Sequence, residues 1–176
     1  MELPLKFFQA IHLFDIQLVN RLMNIGNKHV WTKAARIMSV TGDAYFYLAF
    51  AGWLGYIGEY RWLQVMLLAF ILERIVYFAA KYGFKRGRPA TAIDNFDAHI
   101  KPADEYSFPS GHSSASFLMV TLLTVIYGPL MMLLFVWASM VALSRMMLGL
   151  HFPSDLIVGA LTGIISVWVA NFWILA

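Results

Sequence analysis

The 176-residue chain contains no cysteine, which removes both disulfides and thiolate metal ligands. Charge is scarce as well. Only 13% of residues are Asp, Glu, Lys or Arg, against roughly a quarter in an average soluble domain. Hydrophobic residues make up 60% and aromatics 16%, so the implied solvent is a lipid bilayer and the implied unit a single compact domain, 1–176. No basic–aromatic nucleic-acid module is visible, and the net charge of +3 suits anionic headgroups better than nucleic acid. The opening Met1-Glu2-Leu3-Pro4 lacks the uninterrupted apolar core and cleavage site of a signal peptide.

Apolar runs at about 44–59, 61–81, 112–127, 129–148 and 155–175 read as five spanning helices, each near the ~20 residues that cross a bilayer. Tight turns join them: Gly58-Glu59-Tyr60-Arg61, Tyr127-Gly128-Pro129, and Gly149 to Ser154. Residues 5–25 mix apolar positions with Lys6, His12, Asp15, Gln17, Asn20 and Arg21. That pattern fits an amphipathic helix at the interface, with a sixth span as the alternative. A second short amphipathic helix is expected at 30–41, ending at Thr41-Gly42-Asp43. The expected architecture is therefore an all-α polytopic membrane bundle, with an interfacial segment at 1–42 and a catalytic helix bundle at 43–176. One polar loop, 82–108, holds most of the remaining hydrophilic residues. Two spans separate this loop from the Gly149–Ser154 turn, and two separate it from Thr41-Gly42-Asp43. All three segments should therefore open on one face.

Charge is scarcest at the end of the chain. Residues 107–176 carry only two formally charged side chains, Arg145 and Asp155, and only two histidines, His112 and His151. Ionisable groups in or beside apolar helices are functional-site candidates, and an arginine, two histidines and a carboxylate suggest phosphoryl chemistry. A phosphoryl group in flight spreads charge over three equatorial oxygens and needs fixed donors. Lys81, Arg88 and Arg145 supply cations, and the planar arginine fork suits phosphate. Ser110 stands where an N-cap would start a helix at Gly111, aiming free N–H groups and the positive dipole end at the mouth. Gly111 would permit close backbone approach to the phosphate.

The strings Lys81-x6-Arg88-Pro89, Pro109-Ser110-Gly111-His112 and Ser144-Arg145-x5-His151-x3-Asp155 together resemble the three signature motifs of the type-2 phosphatidic acid phosphatase superfamily. The resemblance implies an integral-membrane lipid-phosphate phosphatase that works without a metal or other cofactor. It implies His151 as nucleophile, forming a phosphohistidine, with Asp155 as its orienting partner and His112 as the acid that protonates the leaving group. Lys81, Arg88, Ser110, Gly111 and Arg145 would bind phosphate. Candidate substrates are an isoprenyl diphosphate carrier lipid, phosphatidylglycerol phosphate, phosphatidic acid or a lipid A phosphate. The alternatives are a lipid-to-lipid phosphotransferase, vanadate-dependent halide oxidation, a metal-dependent hydrolase using His112, His151 and Asp155, or a silent lipid-binding protein.

The His151–Asp155 spacing of i, i+4 would share one helical face, but Pro153 is expected to interrupt the helix and make the contact loop-to-helix. His12, His29 and His99 read as solvated, and Lys85, Arg86 and Lys101 as a basic rim. Asp94, Asp97, Asp104 and Glu105 read as a solvated loop face. Glu73 and Arg74 fall inside a spanning helix, where Glu73 could either position Lys81 or form an interhelical structural pair. Lys28, Lys33 and Arg36 near the same face favour a cytoplasmic site by the positive-inside rule. Bacterial relatives of the resembled family generally open outward. The expected location is thus a bacterial inner membrane, with the site facing the periplasm or exterior.

Overall fold

The computed structural model describes residues 2–23, 28–94, 96, 98–102 and 104–175. Asp97 and the side chain of His29 lie outside what is described. Among the described residues there is no β-strand. The helices run α1 (Glu2–Met23), α2 (Lys28–Val40), α3 (Ala44–Tyr56), α4 (Tyr60–Phe84), α5 (Pro89–Ala92), α6 (Gly111–Tyr127), α7 (Leu134–Met147, entered through a 3₁₀ turn at Pro129–Leu133) and α8 (Pro153–Leu175). Each apolar run of the sequence became one helix, and the boundaries fall at the Gly and Pro turns.

The outward faces are hydrocarbon. Ile71, Ile75, Leu161 and Ile165 are each more than half exposed, an arrangement stable in lipid and prone to aggregation in water. Three stretches are long and apolar enough to cross a membrane: Tyr60–Ala92, Pro129–Met147 and Pro153–Ile174. The 17-residue α6 is apolar but shorter. At 1.5 Å per residue the 13-residue α3 reaches about 20 Å, short of the ~30 Å hydrocarbon thickness. The membrane bundle is there; the expected count of five exceeds what length alone supports.

The tightest packing is between α6 and α8, and α8 carries Gly159-x3-Gly163 on that side. A Cβ at Gly163 would stand 2.1 Å from the Ser114 carbonyl oxygen, and one at Gly159 would stand 2.5 Å from that of Ser110. Small residues four apart let two backbones touch where lipid supplies no hydrophobic drive. Polar ties complete the seam: Ser113 Oγ donates to the Leu156 carbonyl at 2.7 Å, and Ser110 N–H to the Asp155 carbonyl at 3.1 Å. The start of α6 is thereby locked to the start of α8.

Helix α1 is docked onto α8 and α7. Asp15 of α1 is buried and accepts from Ser154 N–H at 3.1 Å and from Arg86 Nη2 at 2.7 Å. Helix α2 packs against α7, and Arg36 donates to the His99 carbonyl at 2.7 Å.

Candidate active site

A cavity of about 580 Å³ opens among α3, α4, α6, α7 and the loop before α8, and Lys81, Arg88, Gly111, His112, Arg145 and His151 all line it. Lys81 comes from the last turn of α4, Arg88 caps α5, and Arg145 lies in the last turn of α7. Ser110 is the N-cap of α6, its hydroxyl accepting from Ser113 N–H at 3.4 Å, as its place in the sequence predicts. The free N–H groups of the α6 start are thereby presented with the helix dipole behind them. The three motifs meet in one place.

His151 lies in the loop, and α8 begins at Pro153. Proline is well tolerated in a first helical turn because its missing N–H would have no intrahelical partner there. The ring is buried. Its Nδ1 is 2.7 Å from the Ser107 carbonyl oxygen, and a carbonyl can only accept, so Nδ1 carries the proton. That leaves the lone pair on Nε2, which accepts from Arg88 Nη1 at 3.5 Å. Asp155 differs from expectation. Its Oδ2 is 3.7 Å from His151 Nδ1, beyond hydrogen-bond range. It accepts instead from Phe152 N–H at 2.8 Å through Oδ2 and from Arg86 at 2.8 Å through Oδ1. The tautomer is held by the main chain, and Asp155 braces the turn carrying His151.

Burial is the main force on the His151 imidazole and holds its pKa below the ordinary histidine value, with Arg88 and Arg145 acting in the same direction and Asp155 opposing them. The neutral ring therefore persists below pH ~6.5.

Of Lys81, Arg88 and Arg145, Arg88 is the most engaged. It donates to the Leu150 carbonyl at 2.7 Å, to the Asp104 carbonyl at 2.9 Å and to Asp104 Oδ1 at 2.6 Å. Lys81 Nζ donates to Asp104 Oδ2 at 2.8 Å and to the Tyr77 hydroxyl. Asp104 is thus no solvated loop residue: its carboxylate bridges two cations of the pocket. Burial raises its pKa, but the hydrogen bonds from Lys81 and Arg88 prevail and hold it below the usual carboxylate range. Arg145 Nη1 donates to Ser39 Oγ of α2 at 2.6 Å, while its Nε is buried without a partner. An unpaired buried guanidinium N–H is costly, and an anion in the cavity would satisfy it. His112 Nε2 lies 3.0 Å from Asp43 Oδ1, which orients the ring from the turn before α3.

Arg86 also differs from its expected place on a basic rim. Half-buried, it joins Asp15, Ser154 and Asp155 and stacks 4.3 Å over the Phe152 ring. Lys85 and Lys101 remain exposed. Glu73 does not touch Lys81. Fully buried, it pairs with its neighbour Arg74 within α4 and accepts across to α6 from Ser114, so the interhelical link is the one to Ser114. Sequence reasoning missed Ser107, Ser39, Asp43 and Asp104 as partners of the site. A main-chain carbonyl leaves no compositional trace, but a carboxylate within a loop that carries the pocket's cations was a readable signal.

Helices that gather cations, two histidines and a helix N-terminus around one cavity define a membrane-embedded anion pocket. Residues 62–176 match the PAP2 superfamily, and the chain belongs to that family. Among curated proteins it is similar to a probable lipid phosphate phosphatase beta of Arabidopsis thaliana, at 29% identity over 59% of this chain and 62% of that protein. It is also similar to an undecaprenyl-diphosphatase of Sulfolobus acidocaldarius, at 32% over 56% of this chain and 48% of that one. A lipid A 4'-phosphatase of Bacteroides thetaiotaomicron matches at 33% over 38% and 31%. The chain thus spans less than two thirds of each. Among solved structures, Aquifex aeolicus LpxE superposes with a TM-score of 0.77 at 25% identity, covering 90% of this chain and 95% of that one. A phosphatidylglycerolphosphate phosphatase from Bacillus subtilis shares the fold, with a TM-score of 0.71, 20% identity and coverage of 93% and 86%.

Proposed function

We propose that this chain is an integral-membrane lipid-phosphate phosphatase that removes a terminal phosphate through a phosphohistidine at His151. One observation carries the reading: the Ser107 carbonyl fixes the proton on Nδ1, so the Nε2 lone pair faces a cavity lined by Arg88, Arg145 and Lys81. In this mechanism Nε2 attacks phosphorus while those cations and the N–H groups at the start of α6 hold the equatorial oxygens. His112 protonates the leaving oxygen, then takes a proton from water, whose attack frees inorganic phosphate and restores His151. Asp155 acts as a positioning residue through the turn it braces.

All five apolar helices cross the membrane in this reading, with α3 completed by its flanking turns. The protein resides in a bacterial inner membrane with its cavity facing outward, and accessibility of a tag at Ala176 on one side or the other tests that orientation. Among the described residues no three His, Asp or Glu side chains gather in a metal-binding cluster. Activity in EDTA measures metal dependence directly: full activity is the expected result, and loss would point to the metal-dependent alternative.

Purified protein offered prenyl diphosphate, phosphatidylglycerol phosphate, phosphatidic acid and lipid A phosphate should release inorganic phosphate from at least one. Rapid quench with labelled substrate should trap an acid-labile, alkali-stable label on the protein. No release from any of the four would overturn the reading, and label appearing on a second lipid would make the protein a transferase.

The pH profile has a defined sign. Only neutral His151 can attack, and its folded-state pKa is lowered, so kcat/KM should hold as pH falls past ~6.5 and decline only below it. The unfolded chain binds the proton more readily, so His151 favours the folded state above ~6.5, and stability is lost as pH falls from there through the lowered value. An acid limb centred at or above 6.5 would contradict the assignment.

A further inference from the structure

Arg74 stands outside the three motifs, and nothing in the mechanism above uses it. It lies on α4 beside Glu73, with its side chain 40% exposed and that of Glu73 fully buried. Nε and Nη2 donate to the two Glu73 oxygens, and the Ser114 hydroxyl donates to the same carboxylate. The Tyr77 ring lies 4.2 Å from the centre of the guanidinium. Two-point bonding and stacking have already fixed this side chain, so a ligand need not order it. Nη1 and the second N–H of Nη2 remain for a ligand.

Its location is unusual. Arg74 and Phe70 border both the phosphate cavity and an open apolar groove on the outer face of α4. Leu67, Ile71, Ile75 and Phe78 form the rest of the groove's wall. A lipid tail suits such a wall. Any molecule with its tail there and its terminal phosphate at His151 passes Arg74 between the two. A tail alone needs no charge at this point, and a buried carboxylate kept to fix an arginine in an apolar helix is costly.

We propose that Arg74 binds a second phosphate of the substrate, the one the lipid retains after the outer phosphate is removed. This rests on the phosphatase reading and narrows it to lipids with two phosphates in series, whether directly joined or separated by a glycerol. With a diphosphate, the His151 Nε2–phosphorus bond forms as the bond from the outer phosphorus to the bridging oxygen breaks. That oxygen stays on the retained phosphate, beside Arg74. Water then breaks the nitrogen–phosphorus bond and inorganic phosphate departs. Phosphatidic acid, with one phosphate, brings no second anion to Arg74.

The test compares kcat/KM within two pairs, farnesyl diphosphate against farnesyl monophosphate and phosphatidylglycerol phosphate against phosphatidic acid. The wild type should favour the two-phosphate member of at least one pair by about tenfold or more, the low end for a charge-assisted hydrogen bond. The pair that shows it tells a diphosphate from a glycerol-spaced substrate. In Arg74→Gln that ratio should fall to near one, with partial recovery in Arg74→Lys. Because Arg74→Gln leaves Glu73 unpaired, the double variant Glu73→Gln/Arg74→Gln is measured beside it and should show the same ratio. A ratio unchanged by Arg74→Gln, equal loss on both members, or no wild-type preference overturns the proposal while leaving the phosphatase reading intact. No hydrolysis of any of the four by the wild type overturns the proposal, and the phosphatase reading falls with it only when lipid A phosphate is also left intact.

Discussion

Replacing His151 by asparagine is expected to lower kcat on the best lipid substrate by at least about 10³-fold, as losses of a nucleophile do. Asparagine is the informative choice. Its Nδ2–H can take the place of the imidazole Nδ1–H, which lies 2.7 Å from the Ser107 carbonyl, but it offers no lone pair where Nε2 stands. The fold should survive, because the buried carbonyl keeps its donor. Alanine would strip it and cost about 1–3 kcal/mol more. Phosphate release and trapped label report the chemistry, and thermal unfolding in detergent reports the fold. Residual turnover within tenfold of the wild type would rule out a phosphohistidine at this residue.

Gly163→Ala is expected to injure the protein more than alanine at any other described glycine, its new carbon making the closest contact of them all. The new carbon would stand 2.1 Å from the Ser114 carbonyl oxygen and 2.8 Å from Leu118 N. Both are backbone atoms of α6, so no side chain can swing away. The helices must part, at about 3 kcal/mol, the upper end of overpacking costs. For a chain of this size that is a fall of about 10 °C in Tm. Activity should fall with it, since the same seam ties Ser110, the N-cap of α6, to the Asp155 carbonyl at the start of α8. Gly52→Ala is the control: its Cβ meets nothing within 4 Å, and alanine in a helix should stabilise by about 0.5–1 kcal/mol. Equal melting temperatures for the two variants would refute the close-packed seam.

How much of this was legible in the sequence depends on the range of the signal. Helix positions were readable because bilayer length and Gly/Pro turns are local features. Lys81, Arg88, His112, Arg145 and His151 were readable because charge inside hydrocarbon is conspicuous, and their convergence followed from counting crossings. The brace on His151 was not readable, since it comes from the main chain of Ser107, forty-four positions away. Asp104 and Arg86 looked like ordinary loop charges, because only the folded loop reveals which of them points inward. Asp15 resembled the polar side of an amphipathic helix until its partners, Ser154 and Arg86, came from the far end of the chain. The Gly159-x3-Gly163 seam was in plain view and went unread.

The carboxylate of Asp104 lies where it meets both Lys81 and Arg88, giving the two cations a shared counterion. Under the proposed activity this bears on turnover rather than on chemistry. In that reading phosphate would leave by exchange, the Asp104 carboxylate re-pairing with the Lys81 ammonium and the Arg88 guanidinium as the product anion departs. Release therefore does not require two buried positive charges to face each other without a counterion, which in a low-dielectric site would be the slowest way to empty it. Under the proposed activity, the loop that delivers Asp104 would be the part that readies the site for the next substrate.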